Sequence, residues 1–468
     1  MSLNLVLIVV GTVLLTGLIT LLLLGRGASL TRGRYGRLAR MGRLGTRLWT
    51  SWLGAKLRRL FMSKHKRAAY DEARRQRDAE AVVKTMGQMK GAIMKVGQML
   101  SFVSESVPAE YRSALESLQA SAPPMDFALI RDVAERELGM PLERAFAQFD
   151  EQPLASASIG QVHRAVLPTG EQVVVKIQYP GVAEAIGADL QNAGMLYRMI
   201  ALLYPALDPK PLVAEMQSRI GEELDYAKEA KNQQHFAKLY AGHPSIIVPR
   251  VFESHSSARV LTSEYVEGRR FADILDGDQT TRDHYGEVLW RFVFGSIFEH
   301  GAFNGDPHPG NYLFTDDGKI VFLDFGCVKY FPEEMLANWK ALIRAHMERR
   351  TDDFRALVVT LGFIKQDSPL TGELLHEYFG YFYRPIVEDS EFTFTRDYTN
   401  LSMDMVFKPQ GEFEGMQKKM NMPADFMFVN RIQWGVYSLL AELGATQNWR
   451  SIHTEYLYQH AERQRAAS

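Results

Sequence analysis

The chain opens with a long apolar run. Residues 3–24 are 22 consecutive positions without a charged side chain, and a helix of that length rises roughly 30 Å, the thickness of the hydrocarbon core of a bilayer. No basic residue precedes the run and no clean small-residue cleavage site follows it. The pattern therefore favours a transmembrane helix over a cleaved secretory signal or a buried core helix.

Helical and strand patterns then alternate along the chain. A β-hairpin is predicted where two β-branched segments flank the turn at 168–170, and a second one where apolar segments flank the turn at 316–318. Short strands are predicted between 245 and 266. Helical patterns cover about 182–203, 211–241 and 283–300, and nearly everything after residue 332.

This order predicts an α+β fold with a β-rich lobe followed by a helical lobe. A helical extension precedes both lobes, because residues 70–106 are rich in Ala, Lys, Glu, Gln and Met. The predicted domains are a transmembrane helix at 1–25, a basic juxtamembrane linker at 26–69, the helical extension at 70–150, the β-rich lobe at 151–268 and the helical lobe at 269–468.

Charge is distributed unevenly, although the formal net charge is only −1. The first 70 residues hold 13 basic residues and no Asp or Glu, which leaves a net charge of −14 on the rest of the chain. An acidic body disfavours a nucleic-acid-binding enzyme. The basic linker is expected to lie on the cytoplasmic side against anionic lipid headgroups, with nucleic-acid binding as the competing interpretation. The single Cys327 excludes an internal disulfide.

The first hairpin carries a lysine and a small-residue loop. Lys176 follows three valines on a strand, where its ammonium can reach nucleotide phosphates, although most strand lysines are merely solvated. The loop LASASIGQV aligns with the glycine-rich phosphate loop of kinases, but alanines stand at two glycine positions and stiffen it. An ordinary turn is the alternative. The loop residues predicted to contact a nucleotide are Ala155, Ser156, Ala157, Ser158, Gly160 and Val162.

An acidic segment, GEELDYAKEAKN, is predicted to be helical. Asp225 and Glu229 are four residues apart and would share one helix face, whereas Glu223 points elsewhere. Carboxylates that point in two directions from one helix can pair with two separate cations. A solvated helix face is the competing interpretation.

The most specific pattern is NGDPHPGNYLFTDDGKIVFLDFG. Asp306 precedes Asn311 by five residues, and Asp324 begins an Asp-Phe-Gly on the far arm of a hairpin. This is the arrangement of phosphoryl transfer, in which Asp306 positions or deprotonates an acceptor hydroxyl. Asn311 and Asp324 offer hard oxygen ligands to Mg²⁺. Upstream, the backbone of Glu264 and Val266 is placed to hydrogen-bond an adenine.

With these motifs the chain resembles the UbiB/AarF family of atypical kinases over roughly residues 85–445. The K-x-G-Q signature of that family is present from Lys95 to Gln98, and its E-x-D signature from Glu223 to Asp225. The alanine-rich loop, VVVK, GDPHPGN and DFG also match. The resemblance implies a bilobal protein-kinase-like fold with a helical N-terminal extension.

The resemblance also implies roles for individual residues. Lys176 should pair with Glu229 and approach the α- and β-phosphates of ATP, and Asp306 should be the catalytic aspartate. The metal ligands would be Asn311 and Asp324, holding Mg²⁺. The regulatory signatures, Lys95 and Gln98 with Glu223 and Asp225, should meet where the helical extension covers the usual peptide groove. Family members support isoprenoid-quinone (ubiquinone) biosynthesis as lipid-associated ATPases or unorthodox kinases.

Some positions depart from the usual patterns. Ser156 interrupts the alanine run of the family, and Gly305 stands where protein kinases have an arginine before the catalytic aspartate. His308 replaces the usual lysine, so its positive charge would depend on pH. These departures disfavour phosphorylation of protein substrates.

The resulting interpretation is a membrane-anchored Mg-ATP-dependent kinase or ATPase, single-pass, with its kinase domain in the cytoplasm of a bacterium. Its expected partners are membrane lipids, including quinone precursors, and quinone-biosynthesis enzymes, without nucleic acid. Two alternatives remain open. One is a small-molecule phosphotransferase of the aminoglycoside- or choline-kinase type, because GDPHPGN resembles those catalytic loops. The other is a pseudokinase scaffold.

Overall fold

The computed structural model of the chain describes residues 125–157, 159–184, 224–304, 307–407, 411–416 and 419–467, together with 70, 221 and 409. Several predictions lie outside these residues: the transmembrane helix, the basic linker, and the residues Lys95, Gln98, Ser158, Glu223 and Asp306. No helix in the described part of the chain combines the length and apolar character that crossing a bilayer requires.

The chain divides into two compact units, and the predicted domain boundaries remain predictions. The described part of the first unit comprises Tyr70, 125–129, 155–161 without Ser158, and 178–184. Within it, the Ala157 N–H donates to the Gly160 carbonyl at 2.8 Å, and the Tyr179 N–H donates to the Ile159 carbonyl at 2.8 Å. The second unit comprises 130–154, 162–177 and 221 onward, and it contains most of the fold.

The described residues include eleven α-helices and twelve short strands. The helices are α1 Phe127–Leu138, α2 Leu142–Ala145, α3 Tyr226–Leu239, α4 Phe271–Leu275, α5 Gln279–His300, α6 Glu333–Met347, α7 Thr351–Thr360, α8 Gly372–Val387, α9 Arg396–Phe407, α10 Ala424–Leu443 and α11 Trp449–Ala467. The strands are β1 Gln148–Phe149, β2 Ala155–Ser156, β3 Gly160–Val166, β4 Gln172–Gln178, β5 Ile246–Ile247, β6 Val260–Glu264, β7 Ala302–Asn304, β8 Tyr312–Phe314, β9 Ile320–Phe322, β10 Val328–Tyr330, β11 Phe392–Thr393 and β12 Thr446–Gln447.

The largest sheet has the strand order β1-β3-β4-β6, and the predicted hairpin of β3 and β4 forms its centre. Strand β4 alternates as its β-branched sequence predicts, with Val173, Val175 and Ile177 fully buried on one face. Lys176 lies on the opposite, half-buried face and stands across from Leu261 of β6. The alternation of the strand thus directs the lysine away from the apolar face.

The second predicted hairpin is also present, formed by β8 and β9. Tyr312 pairs with Phe322 and Phe314 with Ile320, and β5 joins the far side of β9 in parallel. The turn between them needs a glycine, because Gly318 has φ +83°. The register places Asp324 just beyond the end of β9.

The segment after Asp-Phe-Gly leads directly into the helical region. Strand β10 pairs antiparallel with β7, with Tyr330 opposite Ala302, and Pro332 then begins α6. Strand β7 itself follows α5, whose C-cap Gly301 is left-handed at φ +66°. The two strands therefore hold Asn304, after which the loop at 305–311 (the catalytic loop) follows, opposite Val328, which comes soon after the DFG segment.

An aromatic core supports this region. Trp290 of α5 lies 4.9 Å from Trp449 and 4.3 Å from Phe294 between ring centroids, and Phe292 stacks on Phe322 of β9 at 3.5 Å. Large rings of this kind bury more area per residue than any other side chains. The hairpin that carries the candidate site is consequently anchored on α5.

The predicted position of Asp225 inside a helix is wrong. The helical pattern over 211–241 would place Asp225 inside a regular helix on the face of Glu229, but α3 begins at Tyr226 and Asp225 is its N-cap. The Asp225 side chain accepts a hydrogen bond from the Lys228 N–H at 3.0 Å. Aspartate competes for backbone donors in this way and so favours the start of a helix over its interior.

Helix α10 packs closely against the catalytic loop through a glycine. A Cβ built on Gly435 would lie 2.1 Å from Cγ of Pro307, far inside contact distance. Replacement by alanine must therefore shift the loop or the helix. We expect Gly435→Ala to lower the free energy of unfolding by about 1–3 kcal/mol in urea titrations.

Gly380→Ala in α8 is the matched control, because no atom of the described residues outside its own helical turn lies within 4 Å of that Cβ position. The control should raise stability by about 0.5–1 kcal/mol, as expected for alanine in a helix. Equal effects of the two substitutions would contradict the close approach of α10 to Pro307.

His453 is buried among aromatic rings, and we expect it to make the stability of the folded chain sensitive to acid. Trp290, Phe294 and Phe298 surround it at 5.1–5.6 Å, and neither ring nitrogen has a hydrogen-bond partner in the described residues. Burial lowers the pKa of His453 to about 3. The unfolded chain therefore binds a proton below pH 6.5 that the folded chain does not, and stability falls as pH drops from 6.5 towards 3.

We expect His453→Leu to reduce this loss by about 2 kcal/mol between pH 6.5 and pH 5, measured by urea unfolding at both pH values. His284→Leu, a change at an exposed ring of α5, is the control. A His453→Leu curve that runs parallel to wild type would show that this histidine is not the acid-sensitive group.

Candidate active site

A buried ion pair lies at the centre of the site. Nζ of Lys176 on β4 is 2.7 and 3.0 Å from the two carboxylate oxygens of Glu229 on α3. Glu229 is only 2% exposed, and Lys176 also lies 4.9 Å above the ring of Tyr226. This is the pairing that the family resemblance implies. Helix α3 supplies both Glu229 and Tyr226 because they are three residues apart on one face.

Asp324 completes a triad of charges. Its Oδ2 lies 3.7 Å from Nζ of Lys176, and its Oδ1 accepts a hydrogen bond from the Gly326 N–H at 3.0 Å. A Cβ on Gly326 would stand 3.4 Å from Oδ1 of Asp324 and 3.6 Å from Oε2 of Glu229. The two carboxylates thus flank one ammonium, with the glycine of the DFG segment between them.

The two carboxylates determine the charge of the lysine. Burial alone would lower the pKa of Lys176, but Glu229 and Asp324, with a smaller contribution from Tyr226, raise it well above its ordinary value. Lys176 is therefore a permanent cation at physiological pH. A fixed ammonium in a partly water-excluded place is suited to bind an anion such as a phosphate.

The catalytic loop meets the DFG segment through the backbone. The Asn311 carbonyl accepts a hydrogen bond from the Leu323 N–H at 3.0 Å, which places Asn311 beside the residue before Asp324. Nδ1 of His308 accepts a hydrogen bond from the Gly310 N–H at 3.0 Å. The proton of the neutral imidazole is therefore on Nε2, because Nδ1 uses its lone pair for this bond.

The remaining predicted residues lie in three places. The Tyr265 N–H donates to the Gln172 carbonyl of β4, and the Glu264 N–H donates to the Arg250 carbonyl. These two bonds hold the connecting segment at 264–266 in place. Val162 lies on β3 of the second unit. The loop residues Ala155, Ser156, Ala157 and Gly160 belong to the first unit, and their part in a nucleotide site remains a prediction.

The described residues supply few metal ligands by themselves. They contain no group of three or more His, Cys, Asp or Glu side chains that could hold a metal ion. Asp324 with Asn311 would instead provide one carboxylate and one amide, and the oxygens of a bound phosphate would supply the rest. That division is typical of Mg²⁺, which binds few protein groups and retains substrate or water ligands.

The sequence analysis did not identify Asn232 as a site residue. Its Nδ2 donates to the Phe325 carbonyl at 3.0 Å from a position one turn beyond Glu229 on α3. The spacing of three from a candidate site residue was a usable signal. An asparagine in a helix is ambiguous, however, because its partner lies 93 residues away in the chain.

We expect Lys176→Met to lower the free energy of unfolding by about 3 kcal/mol, because Glu229 would keep a buried charge without its cation. The double variant Lys176→Met/Glu229→Leu should recover most of this loss, since two apolar side chains replace the ion pair. Urea titration of the three proteins measures the difference.

The control is Lys319→Met, which removes the cation of the more exposed pair with Asp317 at 2.7 Å and should change stability far less. A double variant no more stable than Lys176→Met would mean that the buried carboxylate is not the source of the loss.

Comparisons with known proteins show which family this chain resembles. Residues 117–357 match the ABC1 atypical kinase-like domain. The chain is 34% identical over 270 residues to "Atypical kinase COQ8B, mitochondrial" of Danio rerio, and 33% identical over 287 residues to "Atypical kinase COQ8, mitochondrial" of Saccharomyces cerevisiae. These matches cover 57% and 61% of this chain but only 43% and 57% of the relatives, so the chain spans about half of their length.

A solved structure is also similar, the Rv3197–erythromycin complex from Mycobacterium tuberculosis. It is 32% identical, with a TM-score of 0.62, over 85% of this chain and 98% of that one. The kinase-like α+β fold predicted from the sequence is thereby confirmed. The family resemblance is confirmed as well: the chain belongs to the ABC1 atypical kinase-like domain family, with the UbiB/AarF and COQ8 proteins.

Proposed function

We propose that this protein is a membrane-anchored atypical kinase or ATPase that binds Mg-ATP and supports isoprenoid-quinone (ubiquinone) or related prenyl-lipid biosynthesis. The observation that carries the proposal is the triad in which Lys176 lies between Glu229 at 2.7 Å and Asp324 at 3.7 Å. A cation held between a buried carboxylate and a DFG aspartate is the arrangement with which kinases bind phosphates.

In this proposal Glu229 orients the lysine and Lys176 binds the α- and β-phosphates. Because Glu229 is buried and accepts two short contacts from Nζ, the ammonium is held in place before the nucleotide arrives. Preorganised charge of this kind needs no rearrangement when substrate binds. The N–H of Glu264 is already used by Arg250. The carbonyl of Glu264 and the N–H of Val266 are therefore the groups proposed to bind adenine.

Asp324 and Asn311 would hold Mg²⁺, which when bound neutralises phosphate charge. The chain's own residues then act around it. Asp306 would position or deprotonate the attacking hydroxyl or water, and the Nε2–H of His308 would donate to a phosphate oxygen, since Nδ1 already accepts from Gly310. A part for the small-residue loop at 155–160 in nucleotide binding stays a prediction from the sequence.

The membrane setting rests on the sequence. The apolar run at 3–24 and the 13 basic residues of the first 70 support anchoring to a membrane with anionic headgroups, with the kinase domain on the cytoplasmic face. Quinone precursors and quinone-biosynthesis enzymes are the partners proposed there. The names of two relatives describe them as mitochondrial atypical kinases, and the inner membrane of a bacterium is the corresponding site proposed here.

A second candidate is a small-molecule phosphotransferase. It is favoured by one observation: the similar Mycobacterium tuberculosis structure is a complex with erythromycin, a molecule that carries several hydroxyl groups. A hydroxyl bound near Asp306 would be the phosphate acceptor in this case.

The test is ATP turnover by the purified full-length chain in neutral and in anionic phospholipid vesicles, with and without a quinone-like lipid. We expect Mg²⁺-dependent release of phosphate that anionic vesicles increase, and a loss of about 100-fold in Asp324→Asn, because the metal loses its carboxylate. Asp317→Asn, a change in the exposed hairpin turn, is the matched control.

Transfer of labelled phosphate to erythromycin would favour the second candidate over the first. Absence of nucleotide binding by the wild-type chain in these vesicles, or unchanged turnover in Asp324→Asn, would refute both.

A further inference from the structure

Three positions on one face of α3 contact the DFG segment or its lysine. Glu229 binds Lys176, Asn232 binds the Phe325 backbone, and Phe236 packs on the ring of Phe325 with centroids 5.0 Å apart. Their spacing of three and four residues places them along one side of the helix. The Phe325 side chain is fully buried. Helix α3 thus holds Lys176 at one turn and the DFG phenylalanine at the next two.

Asn232 uses both ends of its amide. Nδ2 donates to the Phe325 carbonyl at 3.0 Å, and Oδ1 accepts from the Tyr330 hydroxyl at 3.2 Å, with the side chain 5% exposed. A carbonyl can only accept, so the amide nitrogen must face Phe325 and the oxygen must face Tyr330. The Phe325 carbonyl therefore sets the orientation of the amide, and the Tyr330 hydroxyl holds the amide in that orientation by donating to Oδ1.

Tyr330 connects this contact to the catalytic loop. It belongs to β10 and stands opposite Ala302 of β7, the strand that leads into the loop containing His308 and Asn311. Its own side chain is 52% exposed, and its contacts include the hydroxyl bond to Asn232 and the ring of His235 at 6.1 Å. One hydrogen-bonded path therefore runs from β10 through Asn232 to the backbone beside Asp324.

We propose that Asn232 is a positioning residue, which sets the orientation of the Asp324 carboxylate by holding the Phe325 carbonyl. Tyr330 has the secondary role of orienting the Asn232 amide. The inference rests on the proposed function, because it takes Asp324 to be a ligand of Mg²⁺. The Phe325 carbonyl and the Gly326 N–H belong to one planar peptide unit, and this N–H donates to Oδ1 of Asp324 at 3.0 Å. Rotation of the Phe325 carbonyl away from Asn232 therefore also turns the N–H that orients the Asp324 carboxylate.

The first experiment measures geometry without nucleotide. Hydrogen–deuterium exchange of the peptide covering 323–331 should be about 2- to 10-fold faster in Asn232→Leu than in wild type, the range expected for loss of one hydrogen bond. A peptide covering 433–443 of α10 should exchange unchanged. Gln234→Leu, which removes a contact to Glu253 from the same helix, should leave 323–331 as in wild type.

The second experiment measures Mg²⁺ dependence of ATP turnover in the full-length chain. Asn232→Leu should lower kcat about tenfold and raise the Mg²⁺ concentration for half-maximal rate, because Asp324 is displaced. The KM for ATP should change less than about twofold, because Lys176 and Glu229 remain paired. A merely structural role would instead lower the fraction of active protein and leave the Mg²⁺ dependence unchanged.

Two further variants separate the two hydrogen bonds. Asn232→Asp keeps an acceptor for Tyr330 but loses the donor to Phe325, so it should behave like Asn232→Leu. Tyr330→Phe keeps that donor and should lower kcat only about twofold to threefold. Wild-type behaviour of Asn232→Asp would overturn the role of the Phe325 contact.

Unchanged exchange of 323–331 in Asn232→Leu would overturn the proposal whatever the kinetics. If instead the wild-type chain turned over no ATP, the proposed function would fail, while the exchange experiment would still decide whether Asn232 holds the DFG segment.

Discussion

The site depends on one buried carboxylate. Glu229 is 2% exposed, and an isolated charge in such a place costs several kcal/mol, so the fold is stable only if a cation reaches it. Lys176 supplies that cation from strand β4. Glu229 lies 53 residues further along the chain, in helix α3. The pair therefore ties α3 to β4, and the position of the lysine is a condition of folding as well as of chemistry. Oδ2 of Asp324 lies 3.7 Å from the same ammonium.

The candidate catalytic and metal-binding residues lie on short segments between helices and strands. His308 and Asn311 belong to a loop between β7 and β8, and Asp324 follows β9. These segments are anchored by the aromatic core around Phe292 and by the close contact of Gly435 with Pro307. Loops held in this way combine precise placement with access to substrate, which a helix interior or a sheet centre does not offer.

Local patterns were sufficient for the strands and hairpins. The alternation of Val173, Val175 and Ile177, and the turn at Gly318, follow from side-chain period and turn chemistry within a few residues, and both hairpins are present as predicted. Periodicity failed at Asp225, where a side-chain hydrogen bond to Lys228 starts the helix. Helix propensity summed over many residues does not show that one side chain will bond a backbone N–H and start the helix there.

The sequence by itself determined the family, the two hairpins and which residues carry charge or metal-binding oxygen, because these depend on residue type and short spacing. The family resemblance also implied the pairing of Lys176 with Glu229. Only the tertiary structure decided how deeply Glu229 is buried, that Asn232 holds the Phe325 carbonyl and that Gly435 admits Pro307. The three contacts join residues that are 53, 93 and 128 positions apart in the chain. Such pairings arise from packing of whole elements, and no pattern within one element specifies them.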